Sequence, residues 1–302
     1  MNAIFAERLT KSFNGRQNAV DLLTLDIPEG IAYGLVGGSG AGKTTVVKMM
    51  AGLLTPDSGQ CTIMGINPVK APAHLHQICG VVTSTAHMYA CMTGRENLIL
   101  FGQMAGMKTE DAQIRAAELM KDLGIWQARD LLVRDLPTGM LQRISLARAL
   151  MTHPRVLLLD EPTSGLDTEG AEAVLSVISG LVRKEGVTVL LCTHHLIYAQ
   201  QLCGQFGILK EGRLIANGSL ETLCQEASCH IRAGFRLPQD DKIQGFTKCS
   251  DGFWEREIDS EEEMPDLMRK MVAEGHDIYE ARLNYPTLTE AYTTLIGKEE
   301  LL

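Results

Sequence analysis

The stretch of sequence that decides the fold is GGSGAGKTT, which consists of Gly37, Gly38, Ser39, Gly40, Ala41, Gly42, Lys43, Thr44 and Thr45. It fills every required position of G-x-x-x-x-G-K-[ST] and lies between a predicted strand, Ile31–Val36, and a predicted helix beginning near Lys43. Glycines let backbone N–H groups curl around phosphate oxygens, and a helix N-terminus adds positive potential. We therefore expect a nucleotide site, with Lys43 at the β- and γ-phosphates and the Thr44 hydroxyl on Mg²⁺.

Strand-like and helix-like stretches alternate on both sides of this motif. Val156–Leu159 and Val187–Cys192 are short apolar runs, typical of strands buried in a parallel sheet. Between about residues 86 and 152 the pattern is helical. We therefore predict an α/β fold with a mainly parallel core sheet and a helical subdomain over about 86–152.

Two acidic residues follow the predicted strand Val156–Leu159. A phosphate-binding loop needs a carboxylate that orders magnesium at the end of a neighbouring strand, and Asp160 has that position. We expect Asp160 to hold Mg²⁺ through a bound water, and Glu161 to act on the attacking water as general base.

The order of these motifs over residues 1–220 resembles the nucleotide-binding subunit of an ATP-binding cassette (ABC) transporter, a P-loop NTPase. Ser164-Gly-Leu-Asp167 matches the D-loop of that family, and His194 matches the histidine that contacts the γ-phosphate. Phe13 resembles the aromatic residue that stacks on adenine. The resemblance implies ATP and Mg²⁺ as cofactors, and its implied catalytic residues are Lys43, Glu161 and His194.

Two departures from the family pattern affect the same chemistry. Where the family signature reads Leu-Ser-Gly-Gly-Gln, this chain continues from Leu136 with Pro137, Thr138 and Gly139. Proline removes a hydroxyl and a backbone donor that would face the γ-phosphate held by a partner chain, but it is tolerated at the first helical position. Ser84 stands where the Q-loop glutamine belongs and is too short to reach both Mg²⁺ and the attacking water. We therefore expect ATP to close a dimer and hydrolysis to be weak or dependent on the partner.

Charge divides the chain into a nearly neutral body and an acidic end. Residues 225–302 carry 9 basic and 17 acidic side chains, whereas the preceding residues carry 19 and 20. We predict a nucleotide-binding domain over 1–222 and a small C-terminal α+β accessory domain over 223–302. The segments Gly212–Leu220 and Tyr285–Tyr292 resemble the drug and polyketide exporter ATPases, which serve type-two ABC permeases.

Composition and hydropathy limit the partners of the chain. The net charge is −9 and no basic patch stands out, so no nucleic-acid partner is expected. No apolar run approaches the ~18 residues needed to cross a bilayer, so we expect a cytoplasmic protein, peripheral at the inner face of the cell membrane. It would contact the membrane only through a separate transmembrane permease.

The resemblance implies an exporter ATPase that works as a homodimer, or as a heterodimer with a second ABC ATPase. Met88, Tyr89 and Met92 suit a groove for the permease but could equally belong to the core. Two alternatives stay open, namely an ABC ATPase with no transport role and a nucleotide-responsive regulatory subunit with little turnover. The interval from Lys43 to Pro137 leaves no room for the long coiled-coil arm found in some non-transport cassettes.

Overall fold

The computed structural model describes residues 2–13, 15, 17–83, 88–238 and 243–299. The chain divides into two compact units, Met1–Ser219 and Leu220–Leu302. The sequence predicts the boundary between residues 222 and 223, three residues after the boundary in the structure. The difference arises because Leu220 already begins a helix that packs within the second unit.

The first unit alternates strands and helices along the chain. Its strands are β1 (Asn2–Ser12), β2 (Asn18–Pro28), β3 (Ala32–Val36), β4 (Ser58–Ile63), β5 (Cys79–Val82), β6 (Val156–Asp160), β7 (Thr188–Thr193), β8 (Gln205–Lys210) and β9 (Arg213–Gly218). Its helices are α1 (Lys43–Met50), α2 (Pro72–Ile78), α3 (Gly94–Met104), α4 (Thr109–Asp122), α5 (Thr138–Leu150), α6 (Thr168–Glu185) and α7 (Leu196–Leu202).

The central sheet of the first unit has the strand order β5-β6-β7-β3-β8-β9. The five strands β5, β6, β7, β3 and β8 run parallel, and β9 pairs antiparallel with β8 at the edge of the sheet. β3, β6 and β7 are buried at every residue, which is why they read as continuous apolar runs. The predicted α/β fold with a mainly parallel sheet is confirmed. Because these strands are parallel, the residues that follow β3, β6 and β7 meet at one edge.

A second sheet, of order β2-β1-β4, is antiparallel and shares its hydrophobic core with α1 and the central sheet. The buried residues of α1 in this core are Val46, Val47, Met49 and Met50. Full burial of a side chain of this size contributes about 1.5–3 kcal/mol. This packing fixes the helix whose first residue is Lys43.

The helices α3, α4 and α5 pack against one another in the segment predicted to be helical. α3 begins at a capping box, in which Thr93 Oγ1 accepts from Glu96 N and the Glu96 carboxylate accepts from Thr93 N. α5 also packs against β5, where a Cβ on Gly80 would lie only 2.3 Å from Ala149 O. The backbones of β5 and α5 therefore touch directly.

The second unit contains α8 (Leu220–Ala227), β10 (Ile231–Arg236), β11 (Thr247–Lys248), β12 (Trp254–Ile258), α9 (Met264–Ala273), β13 (Glu280–Asn284) and α10 (Leu288–Glu299). Its strands form an antiparallel sheet of order β11-β12-β10-β13. One face of α9 packs on this sheet through Met264, Leu267 and Met271. α8 packs against α10. This unit has the α+β composition expected from the sequence.

Candidate nucleotide site

The loop between β3 and α1 is held so tightly that only glycine fits at two of its positions. A Cβ on Gly37 would lie 2.4 Å from Leu209 O. Gly42 has φ 107°, and a Cβ there would lie 2.3 Å from Ala19 O. Between them, Ala41 N donates to Gly38 O at 3.3 Å, which turns the loop over Ser39 and Gly40. The result is a backbone cradle at the N-terminus of α1, the arrangement that binds phosphate.

Lys43 is the first residue of α1, and its side chain is buried in the cradle. Its Nζ donates to Gly37 O at 2.7 Å and to Gly38 O at 3.0 Å. The same Nζ lies 3.7 Å from Glu161 Oε1. The ammonium group is thus held in the loop opposite the carboxylate of Glu161, the residue that follows β6. Thr44 and Thr45 follow Lys43 in the first turn of the helix.

Asp160 is the last residue of β6 and is fully buried. Thr44 Oγ1 donates to Asp160 Oδ2 at 2.8 Å, which joins the start of α1 to the end of β6. Burial, and then the charge of Asp160, raise the pKa of the Cys192 thiol well above its usual value. A hydroxyl and a carboxylate side by side are hard oxygen donors of the type that Mg²⁺ prefers.

Glu161 follows Asp160 in a left-handed conformation, with φ 51°. Its N–H donates to Cys192 O at 2.8 Å, and its carbonyl oxygen accepts from Gln142 Nε2 at 3.2 Å. A side chain in this region of φ and ψ is uncommon and costs about 1 kcal/mol, so it is retained where the surroundings hold it. Here the backbone contacts on both sides direct the carboxylate toward the end of β7.

The carboxylate of Glu161 is surrounded by donors from the end of β7. Thr193 Oγ1 donates to Glu161 Oε2 at 2.8 Å, and His194 N donates to Oε1 at 3.0 Å. His194 Nδ1 lies 2.7 Å from the same Oε1, while about half of the His194 side chain remains exposed. Sequence reasoning gave Glu161 and His194 separate roles. It missed their direct contact and the hydrogen bond from Thr193 to the Glu161 carboxylate. The position of Thr193 immediately before His194 was the available signal.

Phe13 lies on a pocket of about 410 Å³ beside the phosphate loop. The pocket is lined by Phe13, Gln17, Asn18, Ala19, Gly40, Glu211 and Gly212. Phe13 is 61% exposed, as a ring must be if it is to stack on a planar ligand. The turn between β8 and β9 closes the pocket, because Gly212 N donates to Ala41 O at 3.0 Å. Sequence reasoning missed Glu211 and Gly212, whose 170-residue separation from the loop carries no local signal.

The signature residues stand at the start of α5. Pro137 is the N-cap residue, with φ −58° and ψ 151°, rather than the first helical residue expected from the sequence. The helix begins at Thr138, since proline at the cap still supplies a carbonyl that accepts from Met140 N and Leu141 N. No side chain caps this helix, so its first N–H groups are available to a ligand.

The D-loop packs beside these signature residues. A Cβ on Gly165 would lie 3.1 Å from Thr138 Cγ2, and one on Gly139 would lie 3.2 Å from Leu166 Cδ2. Asp167 caps α6 by accepting from Gly170 N at 2.9 Å, and its side chain is 77% exposed. Ser84, the residue at the Q-loop position, lies outside the described residues.

These features fit a magnesium-bound nucleoside triphosphate. The cradle presents backbone N–H groups and a buried ammonium to phosphate, the Thr44 and Asp160 oxygens suit Mg²⁺, and the Phe13 pocket adjoins the cradle at Gly40. Among the described helices, none has both the length and the apolar character required to cross a bilayer.

Comparison with known proteins gives the same result. Residues 20–164 match the ABC transporter family. The chain is 38% identical to the daunorubicin/doxorubicin resistance ATP-binding protein DrrA of Streptomyces peucetius, over 72% of this chain and 65% of DrrA. It is 30% identical to the bacitracin transport ATP-binding protein BcrA of Bacillus licheniformis, over 96% of this chain and 95% of BcrA.

A solved structure matches the first part of the chain. It is a dimeric, post-hydrolysis state of an ATP-binding cassette bound to ADP and phosphate, with a TM-score of 0.68 and 25% identity. The match covers 72% of this chain and 98% of that cassette. The full-length match to BcrA extends beyond the cassette into the C-terminal unit. The chain therefore belongs to the ABC transporter family, as one of its ATP-binding, ATP-hydrolysing subunits.

Proposed function

We propose that this chain is the ATPase subunit of an ABC exporter and drives a separate transmembrane permease from the cytoplasmic side of the membrane. The observation that carries the proposal is the convergence of Lys43, Thr44, Asp160, Glu161 and His194 at one edge of the central sheet. The names of DrrA and BcrA, which refer to drug resistance and bacitracin transport, support export as the direction.

The hydrolytic step follows from the contacts of this site. Bound ATP would place its phosphates against the cradle and Lys43, and Mg²⁺ would be held by Thr44 and Asp160. Magnesium supplies charge neutralisation at the phosphates. Glu161 accepts the proton of the attacking water, and Thr193 holds its carboxylate in orientation. His194 is exposed enough to turn from Glu161 toward a γ-phosphate.

A second cassette completes the site. In our proposal the start of α5 faces the γ-phosphate held by the partner, so that the free N–H groups at Thr138 and Gly139 contact it. Pro137 supplies neither a hydroxyl nor an N–H there. Hydrolysis by a homodimer would therefore be slow, and a heterodimer would have one stronger and one weaker site.

A cleft of about 400 Å³ is the proposed binding site for the permease. It lies where α1, α2 and β5 meet α3 and α5, and the Arg148 guanidinium stacks over the Phe101 ring at 5.2 Å in its wall. Tyr89 is 47% exposed and its ring lies 6.0 Å from that of Phe101. A wall of apolar side chains that also carries the cations Lys48 and Arg148 suits an amphipathic segment of a membrane protein. The exposure of Tyr89 favours the groove over the core as its role.

The proposal is tested by measuring Mg²⁺-dependent ATP binding and turnover with the purified chain, alone and with a co-expressed permease. We expect Lys43→Ala to abolish both, and the exposed Lys70→Ala, as the matched control, to change neither. Turnover should rise when the permease is present. ATP binding that survives Lys43→Ala would refute the site, and turnover indifferent to any membrane partner would refute coupling to transport.

A further inference from the structure

Three potential metal ligands converge beside the phosphate loop. Within the described part of the chain, Glu161, His194 and His195 form the one group of three such side chains whose ligand atoms all lie within 4.8 Å of one another. Glu161 and His194 belong to the proposed hydrolytic site. His195 has no part in it, and its presence in the group requires a separate explanation.

A single hydroxyl organises the three side chains. Thr193 Oγ1 donates to Glu161 Oε2 at 2.8 Å and accepts from His195 N at 3.0 Å. Glu161 Oε1 is left facing His194 Nδ1 at 2.7 Å. The rings of His194 and His195 lie 4.0 Å apart, inclined by 37°. One carboxylate oxygen and two imidazoles are thus held on one side of the end of β7.

The donor set selects a particular class of ion. Two imidazoles and one carboxylate suit Zn²⁺ and its neighbours in the transition series, whereas Mg²⁺ prefers oxygen ligands alone. Zinc bonds of about 2.0–2.2 Å place tetrahedral ligands roughly 3.3 Å apart, so the side chains must move by about 1.5 Å at most. His194 is 53% exposed and can make this movement. The fourth position would hold water.

Lys43 opposes such an ion, because its ammonium lies 3.7 Å from Glu161 Oε1. Its two bonds to the loop carbonyls hold the charge in the phosphate loop, although the same Oε1 also faces His194 Nδ1. A bound ion would engage the same Oε1 and weaken that ion pair. Binding is therefore expected only when no nucleotide draws Lys43 and His194 to phosphate.

We propose that Glu161, His194 and His195 bind one Zn²⁺-class ion in the nucleotide-free chain, which withholds Glu161 and His194 from hydrolysis. The ion acts as an inhibitor that competes with nucleotide. The binding part stands on geometry alone, whereas the inhibition rests on the proposed role of Glu161.

The binding test uses the full chain without nucleotide, with Cys91, Cys229 and Cys249, the cysteines that are not buried, replaced by serine. Zn²⁺ affinity is measured by competition with a chromophoric chelator, and Co²⁺ reports tetrahedral ligation by its visible absorption. We expect one ion per chain, and at least about tenfold weaker binding in both His195→Ala and His195→Gln. His74→Ala, at an exposed histidine of α2, should bind as the parent does. Equal affinity in the His195 variants overturns the proposal.

The inhibition test measures Mg²⁺-ATP turnover against Zn²⁺ concentration. His195→Ala should keep the parent turnover without zinc and need at least about tenfold more Zn²⁺ for half inhibition. Equal zinc sensitivity in the two proteins overturns the inhibitory role. If no variant turns over ATP, the proposed function fails, while the chelator measurement still decides whether the metal site exists.

Discussion

The substitution Glu161→Gln tests the centre of the site, because it keeps the size of the side chain and removes its charge. In the parent chain, Thr193 Oγ1 and His194 N donate to different oxygens of the Glu161 carboxylate. The glutamine amide has one acceptor oxygen, which must accept from both donors. The fold should survive, since both backbone bonds of Glu161 remain. What is lost is the group that, in our proposal, accepts a proton from water.

The substitution should change turnover and ATP affinity in opposite directions. Loss of a general base lowers turnover by about 10²–10⁴-fold, or roughly 3–5 kcal/mol in the barrier. The Glu161 charge attracts Lys43 Nζ from 3.7 Å. At an effective dielectric constant of about 20, that attraction is roughly 4–5 kcal/mol before desolvation is counted. Its removal frees Lys43 for phosphate, so ATP affinity should stay equal or rise, by up to about tenfold.

The assay pairs steady-state phosphate release with equilibrium binding of a fluorescent ATP analogue in Mg²⁺. Glu118→Gln, at an exposed glutamate of α4, is the matched control and should leave both readouts unchanged. Turnover in Glu161→Gln within threefold of the parent would refute the role of general base. A loss of ATP affinity would show instead that Glu161 holds the site together.

Three further predictions follow from single contacts. Pro137→Ser restores a hydroxyl and an N–H at the start of α5 and should raise the ATPase rate several-fold. An unchanged rate would refute Pro137 as the cause of the slow turnover that we propose. Gly80→Ala places a Cβ 2.3 Å from a carbonyl of α5 and should lower the free energy of unfolding by about 1–3 kcal/mol. Gly180→Ala, at a position in α6 with open space around it, should instead raise the melting temperature. Burial raises the pKa of Cys79 to about 12, so at pH 8 it stays a neutral thiol while the exposed Cys91 alkylates. In a chain whose partly exposed Cys229 and Cys249 are replaced by serine, a fast labelling phase that persists after Cys91→Ser would contradict this.

The parts of the site predicted from sequence are those with short-range causes. The loop around Lys43 and the acids after Val156–Leu159 follow strands whose apolar runs are visible in the chain. Because the carboxyl ends of parallel strands share an edge, the meeting of these two segments could be predicted from the sequence. The contact between Thr44 and Asp160 is the direct result.

The parts that could not be predicted depend on side-chain direction and on distant chain segments. The positive φ of Glu161 turns its carboxylate toward Thr193 and His194, and no residue pattern signals that turn. The turn at Glu211 and Gly212 is brought to the Phe13 pocket by the pairing of β8 with β3 and by the backbone bond from Gly212 N to Ala41 O. The N-cap position of Pro137 differs from the expected one by a single residue.

The direct contact between β5 and α5 has a mechanical consequence. Arg148 and Ala149, near the end of α5, help to line the cleft of about 400 Å³, and Thr138 begins the same 13-residue helix. A helix of that length is about 20 Å long. The close approach of Gly80 to Ala149 O leaves no space for the C-terminal end of α5 to shift along β5. In the proposed dimer, a displacement of the cleft end of α5 would therefore carry Thr138 and Gly139, at the start of the same helix, with it.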